Sequence, residues 1–294
     1  MINKKISVLI PVYNEEKYIS DCIYSILNSI INAELEIIIV DDMSTDDTFQ
    51  LVCKIQLENP GVIKLHKTPI KGKVNAFNFA YEQSEGDFIV FIGGDDLLAP
   101  NVLQSRIDVI TSTTSPMISL CKIRTFSENK DLDNITFPKG NGGAKCGGAM
   151  LMNKKLAKIA FPIPNTLPNE DTWFKAFIDF YPIKVAHIND VGLLYRQHEN
   201  NSIKLQSSFE NFSHNLNIRH KAYEYFINRF TNEIVNQRKI KQLILSESLR
   251  MNNDFFKILL TSLSFKEKLS YIVHSNKFFY LVKLKLYKVL SGRL

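Results

Sequence analysis

Apolar runs and helically spaced apolar residues alternate along the first hundred positions of the chain. Residues 6–10 predict a strand that ends at Pro11. Ile19, Cys22, Ile23, Ile26, Leu27 and Ile30 then recur at helical spacing. Residues 36–40 predict a second strand stopping at Asp41 and Asp42. Ser44 and Thr45 are N-cap candidates for a helix carrying Phe49, Leu51, Val52 and Ile55. A weaker strand over 62–65 precedes helical spacing at Val74, Phe77, Ala80 and Tyr81, and residues 87–92 form a fourth strand. Strand–helix alternation with continuously apolar strands predicts an α/β fold whose largely parallel sheet is covered on both faces.

Over residues 127–148 this pattern dissolves into Gly, Asn, Lys, Asp and Pro, including GNGGAKCGG. A long glycine-rich segment inside a compact domain predicts a functional loop or a mobile lid. Residues 169–180 predict a short amphipathic helix and 183–188 a strand, and from Ser208 the spacing is helical almost to the end. The expected division is a domain over 1–205 and a helical extension over 206–294. No internal repeat is evident.

Composition narrows the class. A chain of 294 residues, 45% hydrophobic and 22% charged, can bury a substantial core. Its four cysteines lie far apart with no CxxC pair, which argues against a zinc site or disulfide framework and fits a reducing cytosol. The N-terminus matches a signal peptide poorly, because Asn14, Glu15 and Glu16 arrive before any small-residue cleavage site. No stretch reaches the roughly 18 uninterrupted apolar residues of a membrane span. A cytoplasmic location is expected. The net charge of +6 matters less than its placement: residues 266–293 are basic and interleaved with aromatic and aliphatic side chains. Nucleic acid, an anionic membrane surface and a solvated helix packed on its own domain all remain open for that tail.

Candidate chemistry sits where strands end. In VFIGGDDLLAP, two glycines follow an apolar strand and place Asp95 and Asp96 just beyond it, where open α/β sheets bind ligands. Oxygen ligands there suit a hard divalent cation that bridges a phosphate, and a solvated turn with an N-cap aspartate is the plain alternative. Asp41 and Asp42 end the second strand in the same way, so both pairs should line one sheet edge. Carboxylates crowded there need a cation or hydrogen-bond donors. The first strand–helix turn, PVYNEE, has no G-x-G-x-x-G, and GxxxxGK[ST] is absent, so the usual dinucleotide and P-loop sites are not expected.

At this point the chain resembles the family 2 glycosyltransferases, which have the GT-A fold. The motifs that carry the resemblance are SVLIPVYNEEKYISDCIYSIL, IIIVDDMSTDDT, KGKVNAFNFAYEQSEGDFIVFIGGDDLLAP, PNEDTWF and LYRQHENNS, in the family's order over residues 5–203. The resemblance implies a Rossmann-like, mostly parallel central sheet flanked by helices, with a C-terminal helical extension. It implies inverting transfer of a sugar from a nucleotide-sugar, UDP favoured, to a saccharide or lipid-linked saccharide acceptor in polysaccharide or lipopolysaccharide synthesis. Nucleic acid is then not a partner, while an anionic membrane surface, with the protein peripheral at the inner face of the membrane, stays open for the tail. The oligomeric state is not addressed.

The resemblance also assigns residues. Pro11, Tyr13 and Glu15 match the segment that cradles base and ribose, and Asp42 matches the residue that pairs with uracil. Lys73 lies in a stretch that brings basic groups to the base and diphosphate. Asp95 matches the carboxylate that meets ribose or sugar, and Asp96 the one that meets Mn²⁺ or Mg²⁺. Asp171 matches the catalytic base. Arg196 and His198 match a segment that reaches the diphosphate or the metal, with His198 read as a metal ligand. Gly93 departs from the common Asp-x-Asp-Asp pattern and puts metal dependence in question. Trp173 fits either an acceptor-stacking platform or the core, and residues 140–148 are expected near the acceptor. A catalytically silent nucleotide-sugar binder and a sugar-1-phosphate nucleotidyltransferase are the competing readings.

Overall fold

The computed structural model describes residues 4–111, 113–198 and 208–290, with side chains as far as residue 285. Residues 199–202 of the last motif and, in the basic tail, the Lys288 side chain and Arg293 lie outside the described residues.

The described residues form two compact units: Met1–Ile178 with Ile183–Asn201, and Asp179–Pro182 with Ser202–Leu294. In the first unit the strand–helix alternation is realised as β1 (Lys5–Val12), α1 (Ile19–Leu27), β2 (Glu34–Asp41), α2 (Thr48–Glu58), β3 (Ile63–Lys67), α3 (Lys73–Glu82) and β4 (Phe88–Phe91). These four strands are parallel, in the order β3-β2-β1-β4. The chain continues through β5 (Leu97–Leu98), α4 (Val102–Thr111), β6 (Met117–Phe126), β7 (Thr136–Phe137), β8 (Met150–Asn153), α5 (Lys154–Ala160), α6 (Asp171–Phe180) and β9 (Lys184–Arg196). On the far side of β4 the sheet is mixed: β8 is antiparallel to β4 and β6, while β6 and β9 run parallel. The largely parallel sheet expected from the sequence thus describes its first four strands.

Both faces are covered. Ile6, Val8, Ile10 and Val12 of β1 alternate to one side and join Ile37, Ile39 and Val90 under the buried stripes of α1, α2 and α4. On the other face Phe91 meets Phe77 of α3 edge-on at 5.3 Å and Phe174 of α6 at 5.0 Å. Burying each such side chain contributes about 1.5–3 kcal/mol.

Three local expectations change. β1 does not stop at Pro11 but runs through it, pairing Pro11 with Val40. Residues 9 and 11 point their backbone groups towards β4, whose last pair is Leu9–Phe91, so the missing proline N–H leaves no ladder partner unmet. Ile30 lies beyond α1 and is exposed, because the helix closes at Asn28. Ser44 and Thr45 do not cap α2; Asp46 Oδ1 instead accepts the Thr48 N–H at 3.0 Å, and Ser44 and Thr45 bond Asn14.

The second unit contains α7 (Phe209–Arg229), α8 (Gln237–Met251), α9 (Phe255–Leu260), α10 (Phe265–Val273) and α11 (Lys277–Leu290). Its centre holds Tyr223, Phe226, Ile240, Ile258 and Tyr271. Arg250 is fully buried and satisfied: it pairs with Glu247 at 2.6 Å and donates to Ser213 Oγ and the His274 carbonyl at 2.8 and 3.0 Å. No described helix is long and apolar enough to cross a membrane.

Candidate active site

Because β1, β2 and β4 are parallel, their C-terminal ends lie side by side and the loops over 13–16, 42–47 and 93–96 emerge on one edge. The first two loops are laced together. The Asn14 N–H donates to Ser44 Oγ (3.0 Å), the Thr45 N–H to Asn14 Oδ1 (2.8 Å) and the Glu15 N–H to Thr48 Oγ1 (2.7 Å). Asn14 adopts φ 56°, a left-handed conformation that asparagine tolerates.

At one end of this edge Asp42 is buried and its Oδ1 accepts the Gly72 N–H at 2.7 Å. Burial raises its pKa, against the pull of Gly72 and Lys71. Tyr13 is 44% exposed, with the Lys71 ammonium 4.3 Å from its ring centre, and Pro11 is buried behind. An exposed ring with a cation on its face beside a carboxylate suits a planar base. Lys71 was not singled out from the sequence, although it opens the KGKVNAF motif two residues before Lys73.

The Asp95–Asp96 pair occupies a tight turn in which the Asp96 N–H donates to the Gly93 carbonyl. A Cβ at Gly93 would stand 2.7 Å from Asp95 Oδ1 and 3.3 Å from Asp96 Oδ2, so glycine there leaves room for both carboxylates to fold back over the turn. Asp96 Oδ1 accepts the Arg196 backbone N–H (2.9 Å), and Arg196 Nε donates to the Asp95 carbonyl (2.8 Å). The Arg196 guanidinium lies 4.4 Å from each of the Tyr18 and Phe126 ring centres and 3.5 Å from Asp21. Arg196 therefore holds the acidic turn in place. His198 Nε2 lies 3.2 Å from Asp95 Oδ2, its ring 5.0 Å from Tyr18.

Burial, then the neighbouring Asp95, pushes the Asp96 carboxyl well above the usual range. Burial, Asp95 and Asp46 together push Glu15 up to about 8. Two crowded carboxyls of this kind, with an imidazole alongside, are a donor set that a hard divalent cation relieves. Among the described residues no three His, Cys, Asp or Glu side chains are arranged to hold a metal ion. The set therefore fits a cation only when ligand oxygens complete its shell.

The raised Glu15 pKa has a sign that can be measured. Its proton stabilises the folded state fully below the ordinary carboxyl value of 4.5, and that contribution is lost as pH rises through about 8. Glu15→Gln is expected to match the wild-type melting temperature at pH 5 and to exceed it by roughly 3 °C at pH 8.5, without ligand or metal. Equal pH slopes for both proteins in a calorimetric series would contradict this.

At the other end of the edge Asp171 begins α6. Its Oδ1 accepts the Gly147 N–H at 2.7 Å, and its Oδ2 is 3.5 Å from Asn169 Nδ2. The preceding Glu170 is buried and pairs with Lys73 Nζ at 3.3 Å. Burial raises Glu170, Lys73 pulls it back and Asp171 pushes it up again. Desolvation draws the Lys73 ammonium down, but Glu170, Asp171 and Asp95 outweigh it and its pKa is raised. Lys73 thus stands among the acids from both ends of the site.

The glycine-rich segment is a fastened strap. Gly142 and Gly143 donate their N–H groups to Asn189 Oδ1 (3.0 Å) and His187 Nδ1 (3.1 Å), and the Ala144 N–H donates to the Cys121 carbonyl (2.8 Å). A Cβ at Gly143 would lie 2.2 Å from the Leu120 carbonyl carbon. Sequence reasoning missed Gly147, Asn189 and His187 as the residues that place this strap. Trp173 belongs to the core: it is fully buried, donates Nε1–H to the Ala160 carbonyl at 2.9 Å and meets Phe177 edge-on.

The model of "Glycosyl transferase family 2" matches residues 7–165. An uncharacterized glycosyltransferase of Haemophilus influenzae is 30% identical over 146 residues, 46% of this chain and 58% of that protein. The poly(ribitol-phosphate) beta-N-acetylglucosaminyltransferase TarS of Staphylococcus aureus is 35% identical over 101 residues, 34% of this chain and 18% of its own. Chondroitin synthase of Escherichia coli is 32% identical over 135 residues, 46% and 19%. The matched segments thus span less than two thirds of these relatives. Among solved structures, S. aureus TarS 1-349 in complex with UDP-GlcNAc superposes with a TM-score of 0.61 at 21% identity, covering 94% of this chain and 80% of that one. That likeness establishes the GT-A architecture with helices following it.

Proposed function

Because the chain belongs to glycosyl transferase family 2, we propose that it transfers a sugar from a nucleotide-sugar to an acceptor hydroxyl, with inversion at the anomeric carbon. The observation that carries this reading is the place of Lys73: its ammonium pairs at 3.3 Å with Glu170, beside Asp171 at the start of α6, and the charge of Asp95 on the turn after β4 also acts on it, which supports one reaction centre for base candidate and acidic turn.

The donor we infer is a UDP-sugar. Tyr13 with Lys71 offers the base a face, and Asp42 offers it a carboxylate acceptor for a ring N–H. UDP-GlcNAc in complex with TarS supports the choice. Glu15, protonated near neutral pH, can donate a hydrogen bond to the ribose or phosphate side. Asp95 would face the ribose or sugar. Lys73 would carry positive charge towards the diphosphate while keeping Glu170 paired. Arg196 acts by fixing the turn from which Asp95 and Asp96 reach the donor.

Asp96 and His198 would hold a Mn²⁺ or Mg²⁺ ion together with diphosphate oxygens. Such an ion supplies charge neutralisation to the departing diphosphate. Asp171 would take the proton from the acceptor hydroxyl. Its Oδ1 is engaged by the Gly147 N–H at 2.7 Å, whereas Oδ2 has the longer contact, with Asn169 Nδ2 at 3.5 Å, and is the oxygen we assign to the acceptor. Attack by a base-activated hydroxyl in a single displacement inverts the configuration. The acceptor class we favour is a saccharide or lipid-linked saccharide; chondroitin synthase is named for a polysaccharide product and TarS for glycosylation of a poly(ribitol-phosphate) polymer, so both names belong to polymer assembly. An acceptor on a lipid would place a peripheral enzyme at the cytoplasmic face of the membrane.

The test is nucleoside diphosphate release from a panel of UDP-, dTDP- and GDP-sugars. Release is expected from a UDP-sugar with Mn²⁺, to stop with EDTA, and to resume when Mn²⁺ is restored. Asp96→Asn should weaken UDP binding at least tenfold in Mn²⁺ and leave it nearly unchanged in EDTA. Binding of UDP with no release from any donor, across acceptor mixtures, would overturn the catalytic reading. An Asp96→Asn effect of equal size in EDTA would remove that residue from the metal.

A further inference from the structure

The net charge of this chain is concentrated in a segment that also exposes several large apolar side chains. Residues 254–294 carry eight Lys and Arg against two Asp and Glu, while the first 253 residues balance at 28 of each, so the whole net +6 resides in that last segment. The described part of it is α9, α10 and α11, all within the second unit.

Each of these helices buries one side and leaves large apolar side chains on the other. In α9, Ile258 is buried, whereas Phe256 (70%), Leu259 and Leu260 (84%) are exposed at i, i+3 and i+4. In α10, Tyr271 is buried, whereas Phe265 (77%) and Leu269 are exposed one turn apart. In α11, Tyr280 is buried and Phe278 (69%), Leu281 and Val282 repeat the i, i+3, i+4 spacing. Lys266, Lys277 and Lys285 are exposed within the same arcs: Lys266 follows Phe265, and Lys277 and Lys285 stand one turn either side of Leu281. Three exposed apolar stripes on consecutive helices exceed the scattered surface apolar residues of an ordinary globular protein.

We propose that this face of the second unit docks onto an anionic lipid surface, with the apolar side chains entering the acyl boundary and the lysines reaching the head groups. Helices of this kind lie in the interface plane without spanning the bilayer, and lysine stems extend along apolar surface while the ammonium stays in the polar layer. Charge selects among occupants. A second copy in a two-fold interface would set the same lysine-bearing patch against itself. A nucleic acid would satisfy the lysines but leave Leu260, Phe265 and Phe278 facing water. An anionic membrane answers both features.

The experiment is sedimentation of the full chain with vesicles of phosphatidylcholine alone or with 30% phosphatidylglycerol. The wild type is expected to bind the anionic vesicles at least tenfold more tightly, and about 0.5 M salt should release most of it. Each lysine near such a surface strengthens binding about fivefold, so Lys266→Glu, Lys277→Glu and Lys285→Glu together should weaken it at least 100-fold. Leu260→Ser, Phe265→Ser and Phe278→Ser together should abolish binding while leaving the circular dichroism spectrum and diphosphate release intact. No partition onto anionic vesicles, or equal binding by both triple variants, would overturn the proposal. So would a dimer seen by light scattering that the serine variant dissociates while no vesicle binding occurs, which would assign the face to a second copy. The activity assay is independent of this surface, so either reading can fail without the other.

Discussion

Asp171→Asn is expected to reduce sugar transfer by about 10²–10⁴-fold, the usual contribution of a positioned general base, while changing UDP affinity less than twofold. The substitution is close to isosteric. An amide oxygen can still accept the Gly147 N–H that Asp171 Oδ1 now accepts at 2.7 Å, so the strap and the start of α6 should keep their places. What disappears is the basicity of the oxygen facing the acceptor. The buried neighbour Glu170 keeps its ion pair with Lys73, so donor-side electrostatics should change little. Paired measurements of diphosphate release with acceptor and of UDP binding by calorimetry separate the two effects. Turnover within tenfold of wild type would remove Asp171 from the base role and move attention to Glu170.

Gly147→Ala should be nearly as damaging to turnover, without removing any ionisable group. A Cβ at this position would lie 2.3 Å from Glu170 Oε1. Glu170 is 4% exposed and its carboxylate is held by Lys73, so it cannot retreat without parting from its cation. The strap must move instead, and with it the N–H that fixes Asp171. Overpacking of this kind costs about 1–3 kcal/mol of stability. Misplacing a catalytic group by about 1 Å costs on the order of 10² in rate. The expected result is a kcat about 100-fold down, UDP affinity unchanged and a melting temperature lowered by roughly 3–6 °C. A kcat within threefold of wild type would show that Gly147 does not position the base.

Much of the acidic sheet edge was legible because it depends on local sequence. Apolar runs bounded by acidic pairs placed Asp42 and Asp95–Asp96 after strands, and parallel pairing brought them to one edge. Of the β6–β8–β9 part of the sheet, only the start of β9, predicted as a strand over 183–188, was legible. The pairings in this part join residues about 30 to 70 positions apart, such as Ile118 with Met152 and with Val185, and no turn or period announces them. The same holds for the strap. Glycine composition suggests mobility, but only the hydrogen bonds to Asn189, His187 and the Cys121 carbonyl, made across the chain, turn it into a fixed element. Trp173 was undecided from spacing alone because a helix's periodicity gives a face and not what that face meets.

By itself the sequence determined the alternation of the first four strands, the acidic pairs at their ends, the candidate base at a helix start and the basic, apolar character of the tail. Each follows from neighbours within one turn or one strand, where covalent geometry and side-chain pattern suffice. Tertiary structure alone decided that Arg196 holds the acidic turn from 100 residues away, that Lys73 pairs with Glu170 across 97 residues, and that the Gly147 N–H holds the candidate base Asp171. Those contacts arise when distant segments pack, and Coulomb energy and hydrogen bonding depend on separation in space, which spacing along the chain does not encode.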